Sequence, residues 1–514
     1  MEKQLRIALM LSLKDIALRK VSVLLWNAPD VLSSVSEFLI FKSFEEEVKK
    51  NWEESVEDKI KDKISKLVLP ELLTQQMMQT VKPLSLQIRK WIDLQEHHLR
   101  YEARKIDLPN SAELCWTAAG VIDCRETAKA LVRCDVLDVE ERYTLACVNC
   151  LEDYIPLLWE KLPEERKGYF YKRGVSKKCY PPALYFCWPH ILKGERHNLD
   201  YLWTNPCGNL TSFNQWAFEH SAKEFNKVAV EYFFQKLTPK EREASVMRTV
   251  EDVLKERSSL SFAYHAGYEI FCYLLSLISP EQQMEIVKKH PSGVLLKFLD
   301  CPWPDLFLEN VGLFWTFLPP SCYGELSELM ARRFEKSHHY FPKLFQEFFI
   351  HSPDDFKNDF VDLDSVFGNP AYRFLSIFFV CEDAESVEVI FRNVDAADRV
   401  KIVLYRRVLE LFFESILKDK GHVVEVCLRE LSKEDRKRLK EVFTEFLGRK
   451  VSGKCIDRKF KRFFEFFDEI DGSSDKEKKA QKRAHLCFSV QTVNLQILRC
   501  AVTMLDSLET QNVL

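Results

Sequence analysis

Residues 233–243 read FFQKLTPKERE, and residues 274–284 read LLSLISPEQQM. Each apolar run closes on Leu237 or Ile278. A hydroxyl residue follows, Thr238 or Ser279, then Pro239 or Pro280, then Glu241 or Gln282 three places after the hydroxyl. The order has a physical logic. A helix start leaves four backbone amides without intrahelical acceptors, and a Ser or Thr hydroxyl accepts from one of them. Proline at the first helical position has no amide to lose. An acid or amide at the third position closes a capping box and suits the helix dipole. The end of one helix thus hands over directly to the start of the next, the grammar of a tight αα-hairpin.

Working outward, the same hand-over recurs at Leu162, Leu318, His351, Val394 and Leu431, and more loosely at Trp203. Ser352, Asp395 and Ser432 take the cap position in three of these. From the Leu162 slot to the Leu431 slot the separations are 41, 34, 41, 40, 33, 43 and 37 residues. Between the slots the apolar residues keep helical spacing. Phe225, Val228, Ala229, Tyr232, Phe233 and Leu237 form one stripe; Ile270, Phe271, Leu274, Leu275 and Ile278 form another. A third is Leu404, Tyr405, Val408, Leu409, Phe412, Phe413, Ile416 and Leu417. No stretch alternates with the period of a strand.

Repeating helix pairs of this length resemble helical-repeat proteins of the ankyrin and HEAT kind, without the ankyrin T-P-L-H turn. The resemblance implies an all-α fold, an α-solenoid of stacked antiparallel helix hairpins with helical caps at both ends. A single pair cannot bury both faces, whereas stacked pairs can. Three regions are expected: an N-terminal helical region over 1–130, a helical-repeat array over 131–450, and a C-terminal region over 451–514. The last holds a basic-aromatic helix RKFKRFFEFFDEI from Arg458, a charged linker from Asp471 and a capping helix over about 485–508. A charged helix from Phe44, FEEEVKKNWEESVEDKIKDK, reads as a solvated face.

Composition agrees with helices. Glycine accounts for only 14 of 514 residues, about 3% where about 7% is ordinary. So little glycine leaves few tight β-turns or phosphate-cradling loops. The 38 phenylalanines supply thick helix-on-helix contacts. Net charge is −4, which gives no whole-chain attraction to nucleic acid or anionic membrane. The most apolar stretch, Ile270 to Ile278, is far short of the roughly 20 residues that span a bilayer. Neither a transmembrane segment nor a signal peptide is expected, and the chain reads as intracellular and cytoplasmic. All 16 cysteines then read as free thiols.

No phosphate loop, dinucleotide fingerprint, nucleophile elbow or zinc-protease motif occurs. No catalytic residue, cofactor site or small-molecule substrate is expected. Cys179, Cys187, His190, His197, Cys207 and His220 carry zinc-ligand chemistry, but their spacing matches no zinc module, so no metal is expected. The one CxxC, Cys147 to Cys150, reads as mid-helix. Residues 433–483 hold 17 Lys/Arg against 11 Asp/Glu, a net +6, interleaved with Phe460, Phe463, Phe464, Phe466 and Phe467. Such a segment could meet nucleic acid or a membrane surface. The interspersed acids favour a helix that buries its Phe face instead.

Residues 12–21, SLKDIALRKV, are similar to the short helix with which ubiquitin-ligase substrate receptors dock elongins. Leu13, Ala17 and Val21 fall on that pattern's contact positions, with Ala17 where the pattern usually carries Cys. The resemblance implies an adaptor with elongins as partners. The same residues also fit a core-facing helix stripe. The expectation for the whole chain is a non-enzymatic protein-interaction scaffold with a protein partner, the elongin-docking adaptor being the alternative.

Overall fold

The structure, a computed structural model, describes residues 5–7, 11–39, 53–99, 114–135, 137–174, 183–200, 212–255, 261–301, 303–336, 342–362, 369–450, 460 and 464. Among the described residues every regular element is a helix, and the only extended pairing is an isolated bridge, Trp116 with Ile122. The chain is all-α. No helix among the described residues is long and apolar enough to cross a membrane. The Trp203 hand-over, residues 44–52 of the charged helix and the 485–508 helix lie outside the described residues.

The caps form as the sequence predicts at four hand-overs. Thr238 accepts from the Glu241 amide at 3.3 Å, and Glu241 accepts from the Thr238 amide at 2.7 Å. Ser279 and Gln282 make the same reciprocal pair. Asp395 accepts from the Asp398 amide and Ser432 from the Asp435 amide. Ser352 does not cap: its hydroxyl turns back to Phe349 O at 2.7 Å, and Pro353 holds the cap position of helix Asp354–Val361. The third predicted stripe also divides. Leu404 ends helix Ala396–Leu404, Tyr405 is extended, and a new helix, Arg406–Leu417, carries the rest.

Helix ends use a second device. At Cys150, Phe225, Glu382 and Asp419 the backbone turns left-handed with φ between 50° and 60°. The next amide then reaches back: Leu151 to Ala146 O, Asn226 to Ser221 O, Asp383 to Phe378 O and Lys420 to Ser415 O. This is the closed ending in which glycine is usual. A chain poor in glycine uses other residues there. It also means that helix Val139–Val148 stops between the two cysteines of the CxxC, so Cys150 is not mid-helix.

Within the described residues the chain forms two compact units, one from residues 7–283 and 300–303, the other from 5–6, 284–299 and 304–464. In the first, the long helix Glu71–Leu99 packs against Leu13–Trp26, Asp58–Lys66, Val139–Val148 and Ser261–Ser276. Trp26, fully buried, donates its Nε1 to Val81 O at 3.2 Å. Pro83 sits inside this helix, where it removes one backbone donor. Further along, Phe213–Lys223 and Pro239–Lys255 run parallel and are tied by Gln215–Ser245, Glu219–Arg248 and Lys223–Asp252.

The second unit has a different order. Helix Tyr323–Lys336 packs on Pro370–Val380, which packs on Arg406–Leu417. Pro342–Ile350 packs on Ala384–Asn393, which packs on Gly421–Arg429. Asp354–Val361 packs on Ala396–Leu404, which packs on Lys433–Lys450. Each helix thus meets the third helix after it. The core between them is phenylalanine: the Phe345 ring lies 4.7–6.3 Å from Phe349, Phe360, Phe374 and Phe378.

Candidate functional site

Helix Leu13–Trp26 begins with a capping box between Ser12 and Asp15. Its three predicted contact residues do not share one open face. Leu13 is 71% exposed, Ala17 is half-buried, and Val21 is in the core at 2%. Arg19, on the same helix, is also buried; it donates to Ala119 O at 2.9 Å and lies 3.7 Å over the Trp303 ring.

The Cys/His residues are distributed, not gathered. Cys187 and His190 sit buried on helix Leu184–Leu192. The His190 Nε2 lies 3.1 Å from Tyr171 O, its ring stacks on Tyr171 at 4.3 Å, and its Nδ1 faces Glu195 Oε2 at 3.5 Å. Tyr171 donates to the same carboxylate at 2.5 Å. That bond, with Lys193 and His190 near, holds Glu195 below the usual carboxylate range and raises Tyr171. His220 stacks on Trp216 at 4.6 Å, and burial lowers its pKa. His197 is on the short helix His197–Asp200. Cys179 and Cys207 lie outside the described residues. Among the described residues no three His, Cys, Asp or Glu side chains come together as a metal-ligand set. The described cysteines are free thiols.

Of the basic-aromatic segment, Phe460 is buried, stacked on Phe413 at 5.5 Å and 6.0 Å from Phe443; Phe464 lies 6.2 Å from Phe443. These two rings face the protein. Phe463, Phe466 and Phe467 lie outside the described residues.

The sequence reading missed a polar cluster where three helices converge. Helix Cys124–Arg133 brings Cys124 with its cap Asp123, Lys227–Lys236 brings Lys227 and Glu231, and Ser261–Ser276 brings Glu269 and Cys272. The Lys227 Nζ lies 3.8 Å from Glu231 Oε1. Burial raises the Glu269 pKa, with Lys227 opposing and Glu231 and Asp123 adding to the rise. Burial alone would lower Lys227, but Glu269 and Glu231 outweigh it and hold the ammonium above its usual range. Burial and then Glu269 push the Cys124 thiol up. Groups that hold their protons this firmly are poor nucleophiles at neutral pH. The cluster draws its side chains from three helices, and each is half-buried. The only sequence signal for it is Lys227 and Glu231, one helical turn apart beside the apolar stripe.

No protein-family model matches the chain, and no curated protein matches it either.

Proposed function

We propose that the chain is a non-enzymatic protein–protein interaction scaffold built on a helical-repeat solenoid. The observation that carries the reading is the spacing of side-chain bonds in the second unit. Arg373 pairs with Glu335, 38 residues away, and also with Glu328. Gln346 bonds Ser386, 40 residues away, and Arg392 bonds Glu430, 38 away. Lys420 pairs with Glu382 at 2.7 Å, joining two equivalent left-handed helix ends. Bonds at a near-constant separation are what stacked equivalent units produce. The separation matches the spacing of the capped hand-overs, so the unit is read as three helices, with the cap between its first and second. Such arrays present long surfaces suited to protein partners.

Native-cell cross-linking with mass spectrometry tests the function. The scaffold reading expects one protein partner, in amounts comparable to the chain, joined through exposed positions such as Lys433 and Lys437. If no partner reaches such stoichiometry, the reading is wrong. The elongin-docking alternative keeps Leu13 on the surface but asks Val21 to leave the core. Stoichiometric elongins in the same experiment, lost in Leu13→Asp, would replace the scaffold reading with the adaptor.

A further inference from the structure

Asn310 lies in the second unit on helix Pro304–Phe317 and is 1% exposed. A buried side-chain amide needs its donors and acceptor filled. One Nδ2 hydrogen goes to Leu306 O at 2.8 Å, in its own helix. The other goes to Arg6 O at 2.8 Å, and Asn310 Oδ1 accepts from the Arg6 amide at 2.9 Å. The asparagine therefore grips both polar groups of one residue's backbone. Arg6 also places its Nη1 3.3 Å from Glu309 Oε2, and Leu5 beside it is buried at 8%. Residues 5–7 are in no helix.

From this geometry we propose that Glu309 and Asn310 on helix Pro304–Phe317 form a binding site for non-helical peptide segments with an apolar residue followed by arginine, and that Leu5 and Arg6 fill it in cis. Three features favour a receptor over an ordinary packing contact. The bonds to Arg6 are to its main chain, so any non-proline residue in a similar conformation can make them. The bond to Leu306 O fixes the amide plane whether or not a segment is bound, so the receptor is pre-organised. Selectivity comes from two side contacts, an acid for the guanidinium and a buried place for the leucine. A tethered segment competes at high effective concentration, so a partner's segment binds only when it displaces the chain's own. The inference deepens the scaffold reading by naming the partner's chemistry, and it rests on that reading in expecting a protein ligand.

The probe is a fluorescein-labelled peptide, EKQLRIAL, the sequence of residues 2–9. Anisotropy is measured on the full-length chain and on the Leu5→Asp/Arg6→Glu variant, in which the cis segment is repelled. The variant should bind the peptide at least about tenfold more tightly than the wild-type chain does. Methylating the peptide's arginine amide nitrogen removes the hydrogen that Asn310 accepts and should cost about tenfold. Replacing that arginine with glutamate should cost a similar factor, recovered by Glu309→Arg in the variant. Wild-type protein with excess unlabelled peptide gives a readout that needs no variant: hydrogen exchange at Arg6 should quicken. If the folded variant binds no peptide, or binds the methylated and parent peptides alike, the site does not exist. If the variant unfolds and excess peptide leaves exchange at Arg6 unchanged, the contact is structural and the proposal is likewise overturned. Either failure leaves the 38-to-40-residue stacking untouched, and that stacking is tested separately by exchange across residues 342–417.

Discussion

Residues 342–450 bury a core dominated by phenylalanine, the helices gathered round Glu71–Leu99 bury a mostly aliphatic one, and the two are held in different ways. In the first region each helix leans on its counterpart three helices on, through bonds of nearly equal sequence separation. In the second, four helices lean on one 29-residue helix, and the separation that recurs, 55 residues in Ser22–Met77 and Trp26–Val81, joins a single pair of helices and is not carried on to a third. A lesion in the first has neighbours to either side that can hold. A lesion on the shared helix has none. The difference is therefore one of cooperativity, and the largest test is a core truncation in each. Phe345→Ala should cost about 3–5 kcal/mol, because that ring touches four others. Hydrogen exchange should show protection lost over 342–417 first and least near 433–450. Trp26→Ala should cost as much, since it also loses the bond to Val81 O, but should release 13–99 as one block. Equal, uniform loss in both variants would erase the distinction.

The next test uses pH, because key carboxylates of the two regions shift in opposite directions. In the Tyr323–Lys336 and Pro370–Val380 pair that leads into the first region, Glu328 is held below its ordinary range. Its partial burial works against this and is outweighed by hydrogen bonds from Arg373 and Arg332. A depressed folded pKa gives stability that is whole above the unfolded value and lost as pH falls through the folded one. Arg373→Met should cost about 1–2 kcal/mol at neutral pH, and the gap to wild type should close as pH drops from about 5 downward. Beside Glu71–Leu99, Glu269 is raised, chiefly by burial. Its contribution is whole below the unfolded value and lost as pH rises through the folded one. Glu269→Gln should therefore gain on wild type as pH rises from about 4 upward. Urea midpoints across this range read both slopes; slopes of the same sign would contradict the assignment.

These regions also differ in how far the sequence disclosed them. The cap residues Thr238, Ser279, Asp395 and Ser432 were legible because capping is local: donor and acceptor lie within one turn. Ser352 misled for the same reason, since a hydroxyl before proline looks like a cap whichever way it turns. Two helices of the 342–450 region were not legible. Pro370–Val380 starts on Asn369 and Arg406–Leu417 on Tyr405, so the Ser/Thr-Pro-acid signature marks neither start. Asn310 could not be read at all, because its partner Arg6 is 304 residues away. The same holds for Lys227 and Glu269, whose meeting depends on how helices pack.

A smaller effect separates true caps from apparent ones. Thr238→Ala and Asp395→Ala should each cost about 0.5–2 kcal/mol, because each leaves a first-turn amide without its acceptor. Ser352→Ala should cost less, under about 1 kcal/mol, since its hydroxyl only supplements a carbonyl at a helix end. Thermal melts of the three variants decide the matter. A Ser352 cost equal to the others would restore it as a cap.

The smallest effect lies at left-handed residues and again divides the regions. In the first region Asp419 occupies such a position at φ 59°; aspartate tolerates it better than most residues. Beside Glu71–Leu99 the position falls to Val68, at φ 50° and 89% exposed. A β-branched side chain is crowded there, and an open position gives it no burial in return. A left-handed residue with a Cβ costs roughly 1–2 kcal/mol, while glycine's freedom in the unfolded chain takes back about 0.5–1. Val68→Gly should thus stabilise by about 0.5–1 kcal/mol. Val68→Ala keeps the Cβ and should gain little. Asp419→Gly should move stability by no more than about 0.5 kcal/mol, because there is less strain to relieve. Denaturant titrations of the three variants resolve this order. If Val68→Gly destabilises, the valine side chain makes a contact that its exposure does not reveal, and the turn before Glu71–Leu99 is held by that contact and not left in strain.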